Sequence, residues 1–310
     1  MPGILSTTTD LTVYMIDNPG SVTAEKLKRH AFRPIDDLKT EELAVGWTSI
    51  DAMLDTAWES APAEKGEWLC FALRVDKRAI PGAVFKKHYA EAIKEEEAAL
   101  ASGEQKFISR KRKAELKEQI KLRLLPAVEP APAIVDVAMN MHSGLLLVAS
   151  SAKSLLLHLE DLMSTSFGVT PRKQETDANS QQILRQVYEN GAQVEWNGHA
   201  YTLTDAGQVT LAGNRGDEAV QVVVKNDNAS VDAGLEAGLS IAKLKICMER
   251  DSEPGFAWTF SLTESLNLSG VKTPATEKQA DDNDADAAIL EKLYLLELVV
   301  GAVGKLFELK

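Results

Sequence analysis

A run of basic side chains between residues 106 and 123 is the part of the sequence whose residue types most clearly suggest chemistry. The run holds eight cations against two acids, Glu115 and Glu118, so it carries +6 on a 310-residue chain whose net charge is −12. A concentrated basic segment on an otherwise acidic chain attracts anions. The eight cations are Lys106, Arg110, Lys111, Arg112, Lys113, Lys117, Lys121 and Arg123.

Helical geometry places five of these cations on one face. At 3.6 residues per turn they occupy an arc of about 80° beside the apolar pair Leu116 and Ile120. Like charges four residues apart destabilise a helix by about 0.2–0.5 kcal/mol per pair, so an anionic partner explains the arrangement better than helix stability does. The face lacks the side chains that read base sequence, which indicates contact with phosphates instead. The five cations are Lys106, Arg110, Lys113, Lys117 and Lys121.

A second interpretation of this basic face stays open. The preceding segment contains Glu95, Glu96, Glu97 and Glu104. If the two segments form a helical hairpin, these acids offset the cations and leave an ordinary solvated face, which is the usual role of a charged run.

Residue types that catalyse reactions occur without a recognisable spacing. The five histidines are scattered, and the sequence has no HExxH, GxSxG, phosphate-loop or dinucleotide-binding motif. Asp76 and Asp136 belong to predicted strands and could converge on metal ions, as a two-metal nuclease requires. Glu91 and Glu95 share a helix face, where we expect them to support the helix. The sequence therefore predicts no catalytic residue, no metal and no cofactor, with a metal-dependent nuclease as the alternative.

Composition indicates a packed protein of a reducing compartment. Hydrophobic residues make up 45% and charged residues 26% of the chain, which is ordinary for a globular protein. Cys70 and Cys247 lie in apolar runs and are expected in the core. The chain has no signal-peptide pattern at its start and no run of about 18 apolar residues, so we expect a cytoplasmic protein without a membrane partner.

Hydrophobic periodicity predicts an α+β fold in which a helical hairpin carries the basic run. Pro81 begins the first helix of the hairpin and Pro126 ends the second. A last helix from residue 287 is apolar on two sides, which favours the core over a subunit contact. The predicted regions are an N-terminal α+β region (1–76 and 124–169), an inserted hairpin (77–123), a linker (170–182) and a C-terminal α+β region (183–310).

Several short stretches of the sequence form a recognisable series. They are Gly46-Trp47, the Arg74-x3-Arg78-x-Ile80-Pro81-x2-Val84-x-Lys86 segment, Leu124-Leu125-Pro126, Gly144-Leu-Leu-Leu-Val148, Ser151-Ala152-Lys153 and Ser166-Phe-Gly168. Their order is similar to that in the RdgC family of bacterial recombination-associated proteins. The resemblance covers about residues 43–168 and is looser over 240–262 and the final helix. No single motif is specific, but their order and spacing together are.

The resemblance implies a multi-lobed protomer with mixed or antiparallel sheets, a protruding basic hairpin and a ring-shaped homodimer. Such a ring would take duplex DNA into a basic opening without sequence preference. It would modulate recombination through DNA that it shares with a recombinase, and it would be associated with the nucleoid. The family also carries an exonuclease label, which the residues above do not support. The expected DNA-binding residues are Lys106, Arg110, Lys113, Lys117, Lys121, Arg123, Arg74, Arg78, Lys86 and Lys87.

One departure from the family's pattern follows Leu124-Leu125-Pro126. The family usually continues with a basic residue, an alanine and a phenylalanine, whereas this chain continues Ala127-Val128-Glu129-Pro130. The cation and the aromatic ring are both absent. A third alternative is therefore a protein that keeps the fold as an interaction scaffold and has lost affinity for DNA.

Overall fold

Antiparallel strands and α-helices build the chain, which confirms the predicted α+β class. The computed structural model describes residues 3–35, 41–100, 107–174, 176, 178–215, 218–275 and 285–309. Within these residues thirteen strands form one sheet, and every pair of neighbouring strands is antiparallel.

The N-terminal half of the sheet contains seven strands. They are β1 (Thr9–Met15), β2 (Leu43–Thr48), β3 (Glu64–Lys65), β4 (Trp68–Lys77), β5 (Ala131–Asn140), β6 (Leu145–Val148) and β7 (Arg172–Lys173). Their order is β1-β6-β5-β4-β2, with β3 paired to β4 and β7 to β1. β4 and β6 are buried almost throughout, which explains why both read as continuous apolar runs and not as alternating ones.

The C-terminal half of the sheet contains six strands. They are β8 (Ala192–Trp196), β9 (His199–Arg215), β10 (Glu218–Lys225), β11 (Ser240–Arg250), β12 (Ala257–Thr263) and β13 (Leu268–Lys272). Their order is β10-β9-β11-β12-β13, with β8 on β9. Strand β1 joins the two halves because Leu11 lies opposite Leu268 of β13, while Tyr14 lies opposite Leu146 of β6.

Seven helices accompany the strands in the described residues. They are α1 (Ala24–Arg29), α2 (Gly82–Leu100), α3 (Arg110–Leu124), α4 (Lys153–Phe167), α5 (Ser180–Asn190), α6 (Asn228–Glu236) and α7 (Ala285–Leu306). Side-chain caps fix several starts, since the Thr23 hydroxyl accepts from Lys26 N and the Ser109 hydroxyl accepts from Arg112 N. None of the described helices is long and apolar enough to cross a membrane.

Helix α7 lies in the core, as its two-sided apolar pattern predicts. Its Leu293 and Leu296 are fully buried, and Val300 and Val303 are 6% and 3% exposed. The indole of Trp258 on β12 donates to the Leu295 carbonyl at 2.9 Å. The helix shares one apolar cluster with residues from both halves of the sheet.

The segment predicted as a linker contains regular structure at both ends. Arg172 and Lys173 pair with Met15 and Tyr14 as strand β7, and α5 begins at Ser180 after its N-cap Asn179. Residues 175 and 177 lie outside the described residues. The division into four regions stays a prediction, and the structure adds that β1 makes the sheet continuous across it.

Candidate nucleic-acid interface

Helices α2 and α3 pack as the antiparallel hairpin that the sequence predicts. Arg112 near the start of α3 contacts Glu96 near the end of α2, whereas Lys117 further along α3 contacts Tyr89 nearer the start of α2. Helix α3 buries only Leu116 and Ile120, the apolar stripe expected beside the basic face. Helix α2 buries no residue, so most of the hairpin surface is open to solvent.

Three cations form an exposed row along α3. Arg110, Lys113 and Lys117 are all exposed, on the face that their helical spacing predicts. Among the described residues no carboxylate lies within ion-pair distance of Arg110 or Lys113. The Lys117 ammonium lies 5.4 Å from the centroid of the Tyr89 ring, a contact that orders the side chain without neutralising its charge.

Lys121 extends the row but is paired with an acid. Its Nζ lies 2.5 Å from Glu42 Oε1, immediately before β2. The hydrogen bond to Glu42 raises the pKa of Lys121. Lys121 therefore ties the hairpin to the sheet, and its positive charge is partly balanced.

Arg112 lies off the row and pairs with one acid of α2, Glu96, and one of α3, Glu115. Glu104, the last of the acids weighed above, lies outside the described residues. The Arg112 Nε and Nη2 donate to the two carboxylate oxygens of Glu96 at 2.8 and 3.1 Å, and Nη1 donates to Glu115 at 3.3 Å. This pairing lowers the pKa of Glu96. Arg112 therefore fits the interpretation of a solvated face whose charges are offset by acids. Arg110 and Lys113 do not fit it, because no described carboxylate pairs with them.

Helix α2 contributes the exposed cations Lys86 and Lys87. Neither has an ion-pair partner within the part of the chain that the structure describes. Lys86 lies three residues before Tyr89 and therefore on the same helix face. Because Lys117 contacts Tyr89, Lys86 is the cation of α2 best placed to extend the row.

The remaining expected residues are not brought into this exposed row. Arg74 is held within the protein, since its Nε and Nη2 both bind Asp76 at 2.8 Å and its guanidinium lies 4.2 Å from the Phe32 centroid. Arg78 is buried, at 2% exposure. Arg123 is exposed at the end of α3, and Lys106 lies outside the described residues.

The acids weighed for metal binding do not converge. Asp136 lies opposite Ala72 of β4, four residues from Asp76, so the backbone positions of the two aspartates are offset by about 13 Å along the strands. Asp76 binds Arg74, while Asp136 accepts from Ile4 N at 2.8 Å and has its pKa raised by burial. In the described residues no three His, Cys, Asp or Glu side chains are grouped to hold a metal ion.

The segment that departs from the family's pattern after Leu124-Leu125-Pro126 lies at the base of the hairpin. Residues 126–130 line an open groove of about 660 Å³ together with Pro34, Ile35, Arg74 and Asp76. No cation of the α3 row lines this groove. The missing cation and ring therefore change the surface beside the hairpin and leave the row itself intact.

Sequence reasoning did not identify Glu42 or Tyr89 as partners of the row. Glu42 lies 79 positions before Lys121, and no local pattern connects the two. Tyr89 follows Phe85 by four residues, and this spacing, which is visible in the sequence, places both side chains on one face of α2. In the structure the two rings stack with their centroids 6.3 Å apart.

Comparison with models of known protein families identifies the family of this chain. No curated protein matches the chain. The family model described as "Putative exonuclease, RdgC" matches residues 9–292, which include both halves of the sheet and the hairpin between them. The chain belongs to the RdgC family.

Proposed function

We propose that this protein binds double-stranded DNA without sequence preference through the α2–α3 hairpin. The observation that carries the proposal is the difference between Arg112, which is paired with Glu96, and the exposed Arg110 and Lys113, which have no described carboxylate partner. Cations that are held in an ordered row without counter-charges are available to phosphates. No cofactor or metal takes part in this function.

The dimensions of the row suit a DNA strand. Arg110 and Lys117 are seven residues apart, which corresponds to about 10 Å along a helix. Phosphates along one strand recur about every 3.4 Å of helix axis, so the row spans roughly three of them. Gln119, the side chain of α3 best suited to reading a base edge, lies on the opposite side of the helix from Arg110. Binding is therefore electrostatic and insensitive to sequence.

We propose further that the protein acts as a homodimer ring around DNA. Val222 and Val223 on β10 are 42% and 54% exposed. β10 is the edge strand at one end of the sheet, so its outer edge offers backbone groups for pairing with a second chain. Two hairpins facing a common opening would double the number of phosphate contacts. Such a ring modulates recombination in the cytoplasm at the nucleoid, and it affects a recombinase through the DNA that both occupy.

The alternative function is a DNA exonuclease, the activity named in the family description. The separation of Asp76 from Asp136 and the engagement of both carboxylates within the protein favour the binding function. We therefore propose that the protein is not an enzyme.

Fluorescence anisotropy with 30-base-pair duplexes of unrelated sequence tests the proposal. We expect equal affinities for the different sequences and a steep weakening between 50 and 200 mM salt. If no binding is detected at 50 mM salt with micromolar protein, the result would favour the alternative of an interaction scaffold that has lost affinity for DNA. Shortening of an end-labelled duplex in the presence of Mg²⁺ would favour the exonuclease.

A further inference from the structure

A cavity of about 540 Å³ lies between α7, the end of β8, and the strands β1 and β6. None of its lining residues belongs to the α2–α3 hairpin, so the cavity is separate from the proposed DNA surface. Its volume falls within the range of about 300–1,000 Å³ that small-molecule sites have.

One wall of the cavity is the indole ring of Trp196. Asn197 and Gly198 follow it with φ values of 48° and 75°, the left-handed geometry of a two-residue hairpin turn, which fixes Trp196 at the end of β8. A Cβ atom on Gly301 of α7 would lie 2.1 Å from the Trp196 ring. The ring therefore lies directly on the helix backbone, and it is still 38% exposed.

The second feature is the carboxylate of Glu297, one helical turn before Gly301 on the same face of α7. Glu297 is half-buried and lines the cavity. It has no hydrogen bond or ion pair with any described residue. Burial and the nearby Glu67 raise its pKa. A carboxylate in such surroundings is stabilised by a cationic donor.

We propose that this cavity binds a small planar aromatic cation, such as an arylamidine. Its ring lies against Trp196 and the apolar side chains of Met15 and Leu145, while its N–H groups donate to Glu297. Cations and aromatic rings both bind well to the face of an indole. Lys305 also lines the cavity, but it is exposed and lies about 12 Å from Glu297 along the helix, where solvent screens its charge.

Three probes of equal shape and different charge test the proposal on the full chain. Benzamidine, benzamide and benzoate are titrated while the indole N–H resonance of Trp196, assigned with W196F, is followed by NMR. We expect benzamidine to bind with a dissociation constant in the millimolar range, at least 10-fold more tightly than the other two. E297Q should reduce this preference to less than about threefold, whereas E195Q, which removes an exposed carboxylate from the same strand as Trp196, should preserve it.

Several results would overturn the inference. They are equal affinities for the three probes, a Trp196 resonance that does not move in benzamidine, or an unchanged preference in E297Q. Circular dichroism establishes that each variant is folded. If E297Q does not fold, W196A provides the second variant, with binding followed by the broadening of the benzamidine proton signals. Benzamidine binding of undiminished affinity in W196A would refute the site.

Discussion

Arg112 holds Glu96 with two parallel hydrogen bonds of 2.8 and 3.1 Å and thereby joins the two helices of the basic hairpin. The same helix presents Arg110 and Lys113 to solvent without a described acidic partner. One helix thus contains two kinds of cation, of which one fixes the hairpin and the other is available to a ligand. Substitution separates these two roles.

Removing the Arg112–Glu96 pair should loosen the hairpin with little change in global stability. R112Q and E96Q each leave one partner exposed to water, and exposed ion pairs contribute little to folding. We expect faster amide hydrogen exchange in α2 and a melting temperature within about 3 °C of the wild type. Loss of the whole fold would contradict this assignment.

A double variant in which the two charges are swapped provides the matched control for the Arg112–Glu96 pair. The double variant R112E/E96R keeps the net charge and restores opposite charges at the two positions. It should recover part of the protection from amide hydrogen exchange that α2 loses in the single variants. If the double variant is as unprotected as R112Q, the contact does not hold the helices together.

Local patterns in the sequence predicted several elements of the site correctly. The 3.6-residue period identified both the buried Leu116 and the exposed Lys113. The same period predicted that α7 is buried. These features depend on neighbours within about two helical turns.

Features set by distant contacts could not be predicted in this way. Arg74 appeared as a cation for DNA, but its guanidinium lies 4.2 Å from the centroid of the Phe32 ring, 42 positions earlier in the chain. The short strand β8 and the polar start of α5 carry weak local signals, and their partners in the sheet and core select their structure. The cavity at Trp196 and Glu297 joins residues 101 positions apart.

Purified protein should leave DNA ends intact. With Mg²⁺ or Mn²⁺, an end-labelled duplex is expected to keep its length, because Asp76 and Asp136 are too far apart to share a pair of ions at the required 3.5–4 Å. Denaturing gels after prolonged incubation provide the measurement. Degradation that disappears in D76N or D136N, but persists in the exposed-site variant D232N, would establish the exonuclease instead.

The dimer is expected to depend on β10 and not directly on α7. V222D/V223D places charges on an exposed edge strand, so this variant should stay folded and scatter light as one 33.8 kDa chain, whereas the wild type scatters as twice that mass. V300D/V303D buries two charges in the core and should unfold. A folded V300D/V303D monomer would place the interface at α7, and a wild-type monomer across micromolar concentrations would exclude the ring.

Neutralising the exposed row should weaken DNA binding through a loss of counterion release. Each cation on a phosphate contributes about 0.9 to the slope of log K against log salt concentration. K113Q/K117Q should therefore flatten that slope by about 2 for each subunit in contact with DNA, equally for all sequences. The fold should survive, because both side chains are exposed and the substitutions relieve repulsion along the helix.

The control for this experiment removes the same charge elsewhere. Lys28 on α1 and Lys272 on β13 are exposed and lie outside both the hairpin and strand β10, so K28Q/K272Q tests whether net charge alone matters. K111Q tests an exposed cation of the same helix that lies off the row. R112Q does not suit this purpose, because it also breaks the contact with Glu96. If K28Q/K272Q flattens the slope as much as K113Q/K117Q does, binding depends on diffuse charge and the ordered row has no special role.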